Sequence, residues 1–172
     1  MSVQLDTFIR NVPDFPKPGI QFKDITPLLA DRNALDHAVA CLHDKIAGES
    51  IDLVAGIESR GFIFGIELAS KLGTGFVPIR KPGKLPYKTY SQSYDLEYGT
   101  DALEIHQDAI HSGQKVLIVD DLLATGGTAQ ASTELITKCG GDIVACLFLI
   151  ELAFLDGRKR LANHRVESVL SY

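Results

Sequence analysis

The sequence has no long apolar run, no excess of basic residues, few cysteines and none of the common nucleotide-loop motifs. Its longest hydrophobic stretch, "IVACLFLI" at 143–150, ends at Glu151. That is far short of the roughly 20 residues a membrane span requires, so no bilayer anchor is expected. The balance of 17 Lys and Arg against 22 Asp and Glu gives a formal net charge of -5. A nucleic-acid partner usually calls for a basic face or stripe, so the charge speaks against one and small molecules are the expected partners. Cys41, Cys139 and Cys146 are odd in number and fit no zinc spacing, which reads as reduced core thiols in a cytoplasmic protein. The histidines are scattered without an HExxH pattern. No GxxxxGK[ST] occurs, and "GTGFVP" at 73–78 lacks a third glycine and leads toward a strand, which disfavours a P-loop or a dinucleotide site. The opening "MSVQLDTFIRN" carries an acid and a base but no apolar signal core, so it is expected to be retained.

What is present is a chain of 172 residues, 45% hydrophobic, which suits one domain over 1–172 with an ordinary core. Apolar, β-branched runs at 51–57, 75–80, 115–121 and 142–150 read as strands buried on both faces. Segments 33–47, 61–72 and 128–139 carry apolar residues at helical spacing between them. The alternation predicts an α/β fold, a twisted and mainly parallel sheet flanked by helices. Residues 81–99 break the rhythm with two prolines, two glycines and four tyrosines. A stretch of that length suits a hairpin or closing lid better than a passive connection, with a solvated loop as the alternative.

In "VLIVDDLLATGGT", 116–128, two carboxylates stand at the carboxyl end of a buried strand, where ligands bind in open α/β sheets. Asp120 and Asp121 can each accept a hydrogen bond from a different hydroxyl, and adjacent sugar hydroxyls are natural donors. The following turn, Ala124, Thr125, Gly126, Gly127 and Thr128, opens a helix; its glycines let amides turn inward where the helix dipole already favours an anion. Either feature alone can be plain turn geometry. Together they describe a site for a ribose 5-phosphate.

"VLIVDDLLATGGT" resembles the phosphoribosyl-diphosphate signature of the type I phosphoribosyltransferases. Four further blocks resemble the adenine-using branch of that family, in the family's order: "VPDFPKPGIQFKDITPLL" (12–29), "GIESRGFIFG" (56–65), "IRKPGKLP" (79–86) and "YDLEYGTDALEIHQDAI" (94–110). The resemblance implies a sheet with an N-terminal hood over 1–32 and a flexible lid loop over 81–99. It implies transfer of the phosphoribosyl group from phosphoribosyl diphosphate to adenine, giving AMP and pyrophosphate in purine salvage. Phosphoribosyl binding falls to residues 120, 121 and 124–128. Glu58, Ser59, Arg60, Arg80, Lys81 and Lys84 are expected to hold pyrophosphate, with the Glu58–Ser59 peptide cis and Arg60 stabilising leaving-group charge. Glu97 is the expected acid/base beside the purine, and Tyr98 shapes the closed lid. Gln21, Phe22 and Lys23 are expected to form the adenine hood, with Leu152 opposite. Magnesium would be carried by substrate and water, without direct protein ligands. The 80–84 basic cluster, which read alone is surface charge, resembles an element that reaches a partner subunit and implies a homodimer.

Two rivals stay open at this point. One is transfer to guanine, hypoxanthine, xanthine or orotate. The other is a regulator that senses phosphoribosyl diphosphate without turnover.

Overall fold

A computed structural model describes residues 3–95 and 99–172. The chain opens with β1 (Arg10–Pro13), β2 (Gln21–Asp24), α1 (Thr26–Ala30) and α2 (Arg32–Asp44). It continues through β3 (Leu53–Ile57), α3 (Gly61–Leu72), β4 (Gly75–Ile79), β5 (Thr89–Asp95) and β6 (Thr100–His106). It ends with β7 (Lys115–Leu123), α4 (Gly127–Lys138), β8 (Asp142–Glu151) and β9 (Val166–Ser171).

The central sheet has the order β4-β3-β7-β8-β9 with every neighbouring pair parallel. Each expected strand and helix is present, and the α/β reading holds. Side chains alternate across the sheet as the pleat requires. Leu117 and Val119 pack on the face that holds Phe64 and Leu68 of α3 and Leu42 of α2. Val116 and Ile118 pack on the face that holds Leu135 and Ile136 of α4. Both cores are fully buried at Phe64, Leu117 and Ile118. Truncating such a ring, Phe64 for example, to alanine costs about 3–5 kcal/mol.

The chain path fixes where a ligand can sit. From β3 it crosses through α3 to β4 on one side, and from β7 it crosses through α4 to β8 on the other. Between β3 and β7 the direction of winding therefore reverses, which opens a crevice beyond their carboxyl ends. Helices α3 and α4 both start at that crevice.

Two antiparallel hairpins lie outside the sheet. β1 pairs with β2, and β5 pairs with β6 from Thr89 opposite His106 to Asp95 opposite Thr100. The stretch 81–99 is therefore not one continuous loop, because seven of its residues are a paired strand. Its period is hard to see in the sequence because the buried positions are tyrosines. Tyr90 and Tyr94 turn toward the core while Ser91 and Ser93 face out. The edge strand β9 was not visible either: its residues are half-buried and form no continuous apolar run.

Candidate active site

A cleft of about 450 Å³ lies at the crevice between β3 and β7. One wall is Glu58, Ser59 and Arg60, the turn between β3 and α3; the other is the run from Asp120 to Ala129, from the end of β7 into α4. Lys81, just past β4, closes the side.

The α4 wall is a cradle made of backbone. Gly126 takes a left-handed conformation, with φ of 84°, and no side chain caps the first turn of α4. The amides of that turn are left for a ligand, at the end of the helix where the dipole is positive. Gly126 has a second reason to be glycine: a Cβ there would come within 2.5 Å of the Gly157 carbonyl. Gly157 in turn abuts the carbonyl of Ala124. The cradle therefore rests directly on the 157 turn.

The carboxylate pair stands between the two walls. Asp121 is buried and follows Leu117 and Val119 to the α3 face, where its Oδ2 accepts from Arg60 Nε at 2.5 Å. Asp120 Oδ1 accepts the Asp121 amide at 2.8 Å. Burial, reinforced by the neighbouring Asp121 charge, pushes the Asp120 carboxyl well above the usual carboxylate range. Gly61 lets the start of α3 come this close, since a Cβ would sit 2.7 Å from the Val119 carbonyl and 2.9 Å from Asp120 Oδ1.

The third region carries cations. Burial works to lower the Arg60 pKa, but Asp121 outweighs it and the guanidinium stays firmly charged. Arg80 Nε donates to Glu58 Oε2 at 3.2 Å, and the same oxygen accepts the Lys81 amide at 2.9 Å. Burial alone would raise the Glu58 carboxyl; the Lys81 amide and Arg80 reverse this and hold it below its ordinary value. The Lys81 ammonium donates to Asp101 and, at 2.8 Å, to the Tyr94 hydroxyl. The Glu58–Ser59 peptide is cis, as expected.

The phosphoribosyl transferase domain model matches residues 23–168. The adenine phosphoribosyltransferase of Christiangramia forsetii is 54% identical over 170 residues, covering 99% of this chain and 99% of its own. That of Geobacter metallireducens is 57% identical, covering 98% and 99%. The crystal structure of adenine phosphoribosyltransferase from Thermoanaerobacter pseudethanolicus superposes with a TM-score of 0.96 at 53% identity, covering 98% of each chain. The chain belongs to the phosphoribosyltransferase family. A further member, from Saccharomyces cerevisiae, was crystallised with adenine and an imino-altritol bisphosphate, and matches with a TM-score of 0.92 at 40% identity over 97% of each chain.

Within this phosphoribosyltransferase cleft the structure gathers Glu58, Ser59, Arg60, Lys81, Asp120, Asp121 and residues 124–128. Arg80 stands behind the lining, on Glu58. The Lys84 carbonyl accepts from Arg80 Nη1 at 3.3 Å, and its side chain is not part of the lining. Phe22 lies near the mouth, with the Arg60 guanidinium 5.6 Å from its ring centre and Phe15 packed edge-on at 5.1 Å. Its neighbour Lys23 turns away, as alternation on a strand dictates, to Asn11 Oδ1 at 2.7 Å and the ring of Tyr172. Gln21 is exposed. Leu152 is buried in the core, and its amide donates to the Leu123 carbonyl at 2.9 Å. None of these four lines the cleft. Glu97 and Tyr98 lie outside the described residues.

Three participants escaped the sequence reading. Gly61 and Gly157 work through backbone contacts with segments distant in sequence, which no local pattern encodes. Asp101 stands inside the quoted 94–110 block, but nothing in its spacing announces Lys81 as its partner.

Proposed function

We propose that the chain is an adenine phosphoribosyltransferase, moving the 5-phosphoribosyl group from phosphoribosyl diphosphate to adenine with release of pyrophosphate. The observation that carries this is the joining, in one cleft, of a backbone cradle, a carboxylate pair and a set of cations, in a chain more than half identical over its length to enzymes of that name. The acceptor base comes from those relatives, and the chemistry of the cleft is consistent with it.

In this reading the 5-phosphate rests on the amides of 126–128, with the Thr125 and Thr128 hydroxyls as further donors. Asp120 and Asp121 receive the two ribose hydroxyls. Bond exchange occurs at the anomeric carbon: the adenine N9 lone pair forms the new C–N bond, and the C–O bond to diphosphate breaks with its electron pair leaving on oxygen. Positive charge builds on the sugar and negative charge on the leaving group. Arg60, at the start of α3, meets that negative charge, aided by Arg80, Lys81 and Lys84. Glu97 takes the proton that N9 gives up, and Tyr98 helps close the lid over 81–99, which excludes water from the activated sugar. Phe22 supplies an apolar face for the purine, with Gln21 and Lys23 reading its edge through the main chain and Leu152 on the other side.

Magnesium would be carried by the diphosphate and by water, without direct protein ligands, which suits a small, hard cation that keeps most of its waters and binds through substrate phosphates. When bound it would neutralise diphosphate charge. We place the protein in the reducing cytoplasm as a homodimer, in keeping with its three free thiols and with the basic 80–84 element.

A coupled pyrophosphate assay with Mg²⁺, phosphoribosyl diphosphate and adenine, guanine, hypoxanthine, xanthine or orotate tests the reading. Adenine-dependent pyrophosphate release is expected. Release with another base only, or none with any, would refute it. The Glu97→Gln variant is expected to lose kcat far more than affinity for phosphoribosyl diphosphate; equal losses would remove the proton-transfer role.

A further inference from the structure

Three of the four cations assigned to the diphosphate end are engaged by a carboxylate of the same chain: Arg60 by Asp121, Arg80 by Glu58, Lys81 by Asp101. An incoming diphosphate must share these cations or take them. The three pairs differ in what they would leave behind. The Asp121 side chain is only 6% exposed, so moving Arg60 away strands a buried charge. The Glu58 side chain is 18% exposed, and its Oε2 also fixes the Lys81 backbone.

Asp101 is different. Its side chain is 32% exposed and that of Lys81 is 37% exposed, so water can replace either partner. Its Oδ1 accepts the Ala102 amide at 2.8 Å and its Oδ2 accepts the Tyr94 hydroxyl at 3.1 Å. Both bonds survive the loss of Lys81, so the carboxylate would stay in place with its lone pairs satisfied. The lysine can also move without the chain moving, because its own amide is held on Glu58 while the four-carbon stem rotates. Lys81 lines the cleft and Asp101 does not.

We propose that Asp101 is a displaceable counter-ion: the diphosphate of substrate or product takes the Lys81 ammonium from it, and Asp101 thereby sets how tightly the cleft holds diphosphate. This rests on the phosphoribosyl-transfer reading above. The exchange breaks one ion pair and makes another, and no covalent bond changes. By competing for Lys81, Asp101 weakens retention of pyrophosphate and favours its release. It is an affinity-determining residue that acts through Lys81, without touching the reacting atoms.

Calorimetric titration of the full chain with pyrophosphate and Mg²⁺ tests this. Asp101→Asn and Asp101→Ser are each expected to tighten pyrophosphate roughly fivefold, the scale of one partly exposed ion pair. The KM for phosphoribosyl diphosphate should fall with it, while ribose 5-phosphate, which lacks the diphosphate, binds as before. With Lys81→Met also present, the Asp101 substitutions should have no effect on pyrophosphate. Unchanged or weaker pyrophosphate binding in both Asp101 variants overturns the proposal, as does equal tightening when Lys81→Met is present. Unchanged melting temperature across the set separates a lost counter-ion from a loosened hairpin. If the wild-type protein turns over adenine and Asp101 has no influence, only the counter-ion role fails. If the wild-type protein neither binds pyrophosphate nor turns over adenine, the phosphoribosyl-transfer reading fails and takes the counter-ion role with it.

Discussion

The two ends of the cleft are built from different materials. The α4 end is backbone: a left-handed glycine, an uncapped helix turn and a close rear contact with Gly157. Nothing there has to move or give up a partner before a phosphate arrives. The α3 and β4 end is side chain: Arg60, Arg80 and Lys81, each resting on a carboxylate. In the proposed reading its groups share their charge with an entering diphosphate, and Lys81, whose carboxylate partner is the most exposed of the three, exchanges that partner as the diphosphate enters and leaves. The difference fits the reaction, because the ribose phosphate keeps its charge throughout while the leaving group gains charge as the bond breaks. A fixed amide cradle suits the constant charge, and side-chain cations already balanced by carboxylates suit the changing one.

If this division is right, substitutions at the two ends should separate kcat from KM. The largest effect is expected from Arg60→Ala. In the proposed reading it removes the cation that meets leaving-group charge, and it leaves the buried Asp121 carboxylate without its 2.5 Å partner. Steady-state kinetics should show kcat falling about 10²–10³-fold, the usual cost of one such electrostatic group. A loss confined to KM would mean that Arg60 serves binding alone and would break the comparison at its side-chain end.

Gly126→Ala attacks the other end. The new methyl would have to push back the Gly157 carbonyl from 2.5 Å while the backbone holds a φ of 84°. The strain from the left-handed conformation alone is of order 1–2 kcal/mol. We expect KM for phosphoribosyl diphosphate to rise roughly tenfold or more from that strain and the displaced cradle, with a smaller change in kcat. If kcat fell as far as with Arg60→Ala, the cradle too would be acting on the developing charge.

This division also explains what the sequence could and could not show. The strands at 51–57, 115–121 and 142–150 have unbroken apolar centres because both their faces are covered, so their pattern survives in the linear text. Asp120, Asp121 and the Thr-Gly-Gly-Thr turn are contiguous, so the cradle was legible as a unit. What stayed hidden depends on contacts between distant segments: Gly157 against Ala124, Gly61 against Asp120, and Asp101 against Lys81. Residues 81–99 suggested a hairpin or lid only by composition, and the span of β5 within them did not stand out because tyrosines and serines alternate there in place of aliphatic and charged residues. The adenine side was legible only through resemblance, and of its residues Phe22 stands near Arg60 while Gln21 and Lys23 do not line the cleft.

A smaller effect should come from the support behind the cradle. Arg158, next to Gly157, donates twice to the buried Glu151, at 2.6 Å from Nε and from Nη2, and Ser168 adds a third bond at 2.7 Å. The Arg158 hydrogen bonds, opposed by burial and helped by Ser168, hold the Glu151 carboxyl below its ordinary value near 4.5. A carboxyl depressed in the folded state stabilises above its unfolded pKa, and that stability is lost as pH falls through the folded pKa. Arg158→Met should therefore cost about 1–3 kcal/mol at neutral pH, and thermal melts should show the gap to wild type closing as the solution is acidified below about 4.5. A gap that is independent of pH would mean that the arginine acts through packing of its stem and not through its charge.

The smallest effect is expected from Glu58→Gln, which probes the side-chain end without removing a cation. The amide can still accept the Lys81 amide proton, but it no longer neutralises Arg80 at 3.2 Å. Arg80 is then freer to meet diphosphate but less well placed. The two consequences oppose each other, so we expect at most a few-fold change in KM, within the range of a partly exposed pair. Because the Glu58 carboxyl is held below its ordinary value near 4.5, it is charged at neutral pH, and the difference between Glu58→Gln and wild type should shrink only as pH drops through that lowered pKa. A difference that instead appears or disappears near neutrality would assign the titration to another group.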